Sequence, residues 1–298
     1  MTRMHLDVLE PILARLAHPD LAAAALVSRP FLAAALPALY ARIDYTTRHA
    51  ARPAMSPFAT LAAHPHLAVH VRRIAVHAVP VFHNHVCPAF LADLAHALST
   101  ATNIRAFICT LNVAPPLLPH LLDTPRLHHL RLLATLGSRQ VAVLTNKSGL
   151  HSLALDFPSW NIIDALPTWS ASMQRTLAHL TLFVCLFFSA RHHAHDPQMA
   201  QDLDATALDA ILAHLPRLRG LHVIGCPRVT HSTVLRALSH TPDLNELSLT
   251  IFVSPSHRPC TFLTPRAAIP REHPPAAQLP HPPPHTPLCR RSRLLSCP

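Results

Sequence analysis

The chain has 298 residues, half of them apolar, and a formal net charge of +10. That length suffices for one large or two modest domains with a substantial core. Its 4 glycines, Gly137, Gly149, Gly220 and Gly225, leave no Walker loop, no dinucleotide-binding GxGxxG and no GxSxG elbow, which excludes those nucleotide-dependent and hydrolytic chemistries.

Residues 4–43 open the chain with apolar residues at helical spacing. Leu6, Leu9, Ile12, Leu13 and Leu16 predict a first helix, with Asp7 as N-cap and Glu10 completing a capping-box-like start. Pro11 falls at the fourth helical position, where loss of one N–H does little damage. After the His18-Pro19-Asp20 break, with Asp20 as a candidate cap, a second helix carries Leu21, Leu26, Val27 and Phe31. Pro30 is expected to end or kink it near Arg29. A short third element closes on Leu36-Pro37, Leu39-Tyr40 and Ile43. So short a segment cannot bury all of this apolar surface alone, so part of it needs a partner. The plain alternative is that these are the first helices of a globular core.

Thr46 to Pro57 is polar and Pro-containing, as a linker would be. Beyond it the pattern apolar-x-x-apolar-x-apolar occurs seven times: Val71/Ile74/Val76, Ile104/Phe107/Cys109, Leu127/Leu130/Leu132, Leu150/Leu153/Leu155, Leu177/Leu180/Leu182, Leu218/Leu221/Val223 and Leu244/Leu247/Leu249. The starts lie 33, 23, 23, 27, 41 and 26 residues apart. Alternating apolar residues on short strands point inward, and strands of successive units stack into a parallel sheet. Helices are expected between them, over 89–98, 205–215 and 232–239. Three residues past the last apolar position stand Asn112, Cys185 and Cys226, where an inward polar side chain would bond buried loop backbone. Val79, Thr135, Pro158 and Phe252 hold that place elsewhere, so the array is irregular. The apolar run from Leu177 to Ala190 contains His179 and Thr181, is too short to span a bilayer, and reads as a buried strand.

Residues 254–298 hold 12 prolines and six arginines against Glu272 alone, with no apolar period, and are expected to be disordered. They follow the seventh strand with no capping unit. They are either an extended interaction tail or the product of a changed reading frame.

Of the 25 cations 24 are arginine and Lys147 is the sole lysine, a bias that fits GC-rich coding. No dense basic run with interleaved aromatics marks a specific nucleic-acid groove. Seven cysteines without a CxxC pair fit a reduced cytoplasmic or nuclear compartment. Asp7 and Glu10 interrupt the place of a secretory leader, and the chain is expected to be soluble with no membrane partner. His83-Asn84-His85 with Cys87, and His192, His193 and His195 with Asp196, are clusters that 26 histidines produce by composition. Zinc needs ligands converging from two separated pairs, so no metal and no cofactor are expected. Cys109, Cys185 and Cys226 read as inert core thiols. No nucleophile constellation or carboxylate pair stands out, so the chain is not read as an enzyme.

The opening segment resembles the F-box, through which substrate receptors dock onto the Skp-type adaptor of cullin–RING ubiquitin ligases. Asp7-Val8-Leu9, Ile12-Leu13, Leu16, Asp20-Leu21, the run from Ala25 to Arg29, and Leu36-Pro37 with Leu39-Tyr40 carry the resemblance. It departs at Met4-His5, where the family has Leu-Pro, and at Pro30-Phe31, where it has Trp. Cys226, Val229-Thr230, Leu235, Leu238 and Leu244/Leu247/Leu249 resemble the cysteine-containing leucine-rich repeats of F-box proteins. Residues 58–76 are similar to the unit that follows the F-box in fungal, basidiomycete-type receptors. The resemblance spans roughly residues 4–253.

It implies an α/β chain: an N-terminal three-helix F-box (1–45), a linker (46–57), an irregular, horseshoe-like leucine-rich-repeat solenoid (58–253) and a disordered tail (254–298). It implies a substrate receptor of a Skp–cullin–F-box ubiquitin ligase; the alternative is a non-ligase repeat scaffold with a degenerate F-box. Leu9, Ile12, Leu13, Leu16, Leu21, Leu26, Val27 and Phe31 would bind the adaptor. Outward residues Arg72, Arg105, His128, Arg131, His151, His179, Arg219 and His222 would line up as a substrate-binding row, basic or made basic by His protonation. Such a row suits an acidic or phosphorylated target. Lys147 would be an acceptor for ubiquitin in cis, or else a solvated loop residue.

Overall fold

The computed structural model describes residues 6–51, 56–83, 85–184, 203–226 and 229–250. The expected tail at 254–298, Cys185 and the cluster from His192 to Asp196 lie outside the described residues, as does the side chain of the expected Asp7 cap.

Three helices come first: α1 (Leu6–Leu13), α2 (His18–Ala25) and α3 (Arg29–Tyr40). Leu9 and Leu13, four apart on one face of α1, are buried against Leu21, Ala25, Ala34 and Ala35. The α2 helix starts earlier than expected: Ala17 is its N-cap, Pro19 stands in its first turn, and Asp20 follows inside the helix. Proline is tolerated there because its missing N–H has no partner inside the helix. The same rule corrects the reading of Pro30. Ser28 caps α3 by accepting from the Phe31 N–H at 3.4 Å, so Pro30 begins the third helix and Phe31 belongs to it.

The chain then enters a sheet at once. Strand β1 (Arg42–Tyr45) is followed by α4 (Thr47–Ala50), α5 (Pro57–Ala63), α6 (Pro65–Ala68) and β2 (Arg73–Val76). A hairpin of β3 (Val81–Phe82) and β4 (His85–Val86) precedes α7 (Pro88–Thr100) and β5 (Ala106–Cys109). Next come α8 (Leu118–Leu122), β6 (His129–Leu133), α9 (Ser138–Thr145), β7 (Ser152–Asp156), α10 (Trp160–Ser172) and β8 (His179–Phe183). The last described elements are α11 (Ala205–Leu212), β9 (Gly220–Ile224), α12 (His231–Leu238) and β10 (Glu246–Thr250).

This arrangement corrects the expected architecture of a three-helix F-box followed by a horseshoe-like leucine-rich-repeat solenoid. Among the described residues the structure is an α/β fold with one open eight-stranded sheet, ordered β1-β2-β5-β6-β7-β8-β9-β10, in which every neighbouring pair is parallel and helices alternate with strands. Residues 42–45, read as the close of the helical segment, are its first strand. The reason is packing. Ile43 and Tyr45 alternate with exposed Arg42 and Asp44, and the Tyr45 ring packs at a tilt against Phe90 and Phe58, with ring centres 4.9 Å and 5.6 Å away. Those two side chains bring the strand into the main core.

Each of the seven apolar triplets lies on or just ahead of a strand. Parallel pairing places Ile43, Ile74, Phe107, Leu130, Leu153, Leu180, Leu221 and Leu247 in one continuous row. Sheets covered on both faces carry near-continuous apolar strands. Here burial alternates along β5, β6 and β8, and the buried positions join helix residues in a single cluster. Helices therefore cover one face, and the other stays open.

Candidate functional site: two exposed surfaces

The first surface belongs to the N-terminal helices. Of the eight residues expected to bind an adaptor, Leu9, Leu13 and Leu21 are buried and Phe31 packs half-buried against them. Ile12 (49 % exposed), Leu16, Leu26 (88 %) and Val27 (69 %) point to solvent, together with Val8 and Leu32. Helical spacing explains the split on α1, where Val8 and Ile12 share a face beside the one that buries Leu9 and Leu13. Leu26 and Val27 lie in the turn between α2 and α3, where no helix face can bury them.

The second surface is the open face and leading edge of the sheet. The expected row is in fact three neighbouring rows. Arg72, Arg105, His128 and His151 stand side by side just ahead of β2, β5, β6 and β7, joined by Arg105 N–H to Arg72 O (2.7 Å), His128 N–H to Arg105 O (2.9 Å) and His151 N–H to His128 O (2.7 Å). Arg219 holds the same place ahead of β9, beyond Ala178. His179 belongs to the next row, with Arg73 and His129, two residues that sequence reasoning missed. Arg131 and His222 lie in a third row. The three rows lie two residues ahead of the shared apolar row, one residue ahead of it and one residue after it, which accounts for the separation.

The electrostatics are mixed. Arg131 Nε donates to Asp156 Oδ2 at 3.0 Å, and its guanidinium lies 4.9 Å from the Phe183 ring centre. Arg73 stands 3.7 Å from Asp44, and His222 3.8 Å from Glu246. The His128 and His151 rings meet edge to face at 5.1 Å, and His128 Nδ1 is buried with no partner among the described residues. His179 lies over Gly220, where an added Cβ would come within 2.5 Å of its Nδ1, so the glycine makes room for the ring. Burial pushes the His129 pKa down first, and neighbouring His128, His151, His179 and Arg73 push it further the same way. His129 therefore resists protonation.

Other expected positions resolve differently. Lys147 is not a solvated loop residue: it is buried, its amine donates to the carbonyls of Thr124 (2.5 Å) and Leu122 (3.3 Å), and burial lowers its pKa. The indole of Trp169 bonds the Lys147 carbonyl at 2.8 Å and closes the corner. Asn112 does not turn inward; it is exposed and accepts from the Thr135 hydroxyl at 3.2 Å. Cys109 and Cys226 are buried, and burial pushes the Cys226 thiol up to about 12. His83 and His85 are exposed on the β3–β4 hairpin. Among the described residues no group of three or more His, Cys, Asp or Glu side chains is placed to hold a metal ion. No described helix is long and apolar enough to cross a membrane.

No known protein-family model matches this chain, and no curated protein matches it.

Proposed function

We propose that this chain is a non-catalytic substrate receptor of a cullin–RING ubiquitin ligase, docking on a Skp-type adaptor through its N-terminal helices. The observation that carries the reading is the exposure of Ile12 on α1 and of Leu16, Leu26 and Val27 in the turns beside helices whose own core is small and alanine-rich. Each such side chain, once covered, contributes roughly 1.5–3 kcal/mol. The substrate would lie on the open sheet face, held near a ubiquitin-charged enzyme. Such a mechanism is positional, raising the local concentration of target lysines without chemistry in this chain. Buried, unpaired Cys109 and Cys226 fit a reducing cytoplasmic or nuclear location.

The experiment is co-purification of the full chain with a Skp-type adaptor. Leu13 is buried, so its substitution would unfold the helices rather than test the surface. Ile12→Asp with Leu26→Asp changes only exposed positions. Wild type is expected to form a complex that this double variant loses. Binding retained by the variant would refute the docking surface, and a wild type that never binds would leave the scaffold reading in its place.

A further inference from the structure

Ahead of β2, β5 and β6 lies a cleft of about 240 Å³ whose polar lining is Arg72, Arg105, Arg126, His70 and Asn103, with Pro37 of α3 on one wall. The convergence is built into the fold. His70, Asn103 and Arg126 each stand one residue before the first apolar residue of a triplet, and Arg72 and Arg105 stand one residue after. Parallel register then stacks these positions on adjacent strands, and the Arg105 N–H donates to the Arg72 carbonyl at 2.7 Å. Asn103 fixes the third arginine: its Nδ2 donates to the Val69 carbonyl at 2.7 Å, and its Oδ1 accepts from Arg126 Nη1 at 2.7 Å.

No carboxylate lines this cleft, and among the described residues none of the three arginines forms an ion pair with Asp or Glu. Three guanidinium groups gathered without a counter-charge repel one another, and their planar forks match the oxygens of a phosphate. A phosphate monoester brings close to two negative charges and three strong acceptors, whereas a carboxylate brings one charge and two oxygens. The volume falls below the roughly 300–1,000 Å³ of sites that enclose a whole small molecule. The cleft therefore fits a group at the end of a chain. Its three arginines line one small cleft, which suits a single dianion better than the extended backbone of a nucleic acid.

We propose that this cleft binds the phosphate of a phosphorylated side chain on a protein partner. The inference deepens the receptor reading and rests on it only for the partner being a ligase substrate. The full chain, with no adaptor present, is titrated calorimetrically with the peptide acetyl-Gly-Ala-phosphoSer-Ala-Gly-amide, with its Ser and Glu counterparts, and with inorganic phosphate. The phosphopeptide is expected to bind saturably, the Ser peptide not to bind, and the Glu peptide to bind at least about tenfold more weakly. Arg105→Gln and Arg126→Gln are each expected to weaken phosphopeptide binding about tenfold, and exposed Arg175→Gln to leave it unchanged. On wild type, the phosphopeptide should protect Arg72, Arg105 and Arg126 from phenylglyoxal, which decides the matter even where a variant misfolds. Equal binding of the Ser peptide, binding of inorganic phosphate but not the phosphopeptide, or no protection of these arginines would overturn the proposal. Each result stands apart from adaptor docking, because the adaptor is absent.

Discussion

The sheet layer and the N-terminal helices differ in how many of their large apolar residues they bury. In the sheet and the helices packed on it Trp169, Tyr45, Phe58, Phe107 and Ile74 are buried and Arg, His, Ser and Thr hold many of the open strand positions, while Phe82, Trp160 and Leu235 are left exposed. In the helices the core is Leu9, Leu13 and Leu21 filled out by three alanines, while Val8, Ile12, Leu16, Leu26, Val27 and Leu32 face water. The layer built on the sheet buries its largest side chains in one continuous core. A helical unit that buries three leucines and leaves Leu16, Leu26 and Leu32 exposed beside Val8, Ile12 and Val27 gains when something else covers them.

That contrast is breakable. The largest effect is expected at Trp169, fully buried and bonded to the Lys147 carbonyl. Trp169→Ala should cost about 3–5 kcal/mol, read by denaturant unfolding followed by circular dichroism. On the helices, Leu13→Ala should cost about 2–5 kcal/mol, while Ile12→Ala changes stability by no more than about 0.5 kcal/mol. Equal costs at these two adjacent positions would contradict the split between buried and exposed faces. On the open face, Asp156→Asn should cost about 1 kcal/mol, since half-exposed Arg131 loses an ion pair partly screened by water.

Cys226 gives a pH-dependent prediction. Its thiol stays protonated in the folded chain up to about 12, against an ordinary 9.0 in the unfolded chain. The unfolded state therefore releases this proton first, and stability should fall as pH rises from about 9 toward 12, with the full contribution present below 9. A Cys226→Ala variant whose stability keeps the same slope over that window would remove the assignment. In the native chain Cys109 and Cys226 should also resist thiol reagents that label them after denaturation.

Much of the sheet was legible in the sequence, because a two-residue alternation at recurring intervals has few other physical explanations. Leu130 and Leu132, Leu153 and Leu155, and Leu180 and Leu182 mark β6, β7 and β8 directly. Strand β1 was not legible. Arg42 follows α3 after a single residue, and packing of Tyr45 against Phe58 and Phe90, which no local pattern announces, holds 42–45 in the sheet. Pro30 and Phe31 were misassigned because a proline that ends one helix and a proline that starts the next look alike until the Ser28 cap is weighed. Architecture was the larger miss. Resemblance of short motifs carries no information on how helices and strands alternate around one open sheet.

For the candidate sites, sequence named Ile12, Leu26, Arg72 and Arg105 but not how they divide. Burial of Lys147 depends on carbonyls at the end of α8, which no residue pattern announces. Arg126, His70 and Asn103 did carry a signal, their common offset from the apolar triplets. Only the parallel register turns that offset into proximity.

In the proposed function the N-terminal helices are the surface that a second protein covers. Hydrogen–deuterium exchange of the full chain, alone and with a Skp-type adaptor, measures this directly. Slowed exchange is expected across α1, α2 and α3 and none across β6 and β7. Protection confined to the sheet, or absent from the whole chain, would contradict it.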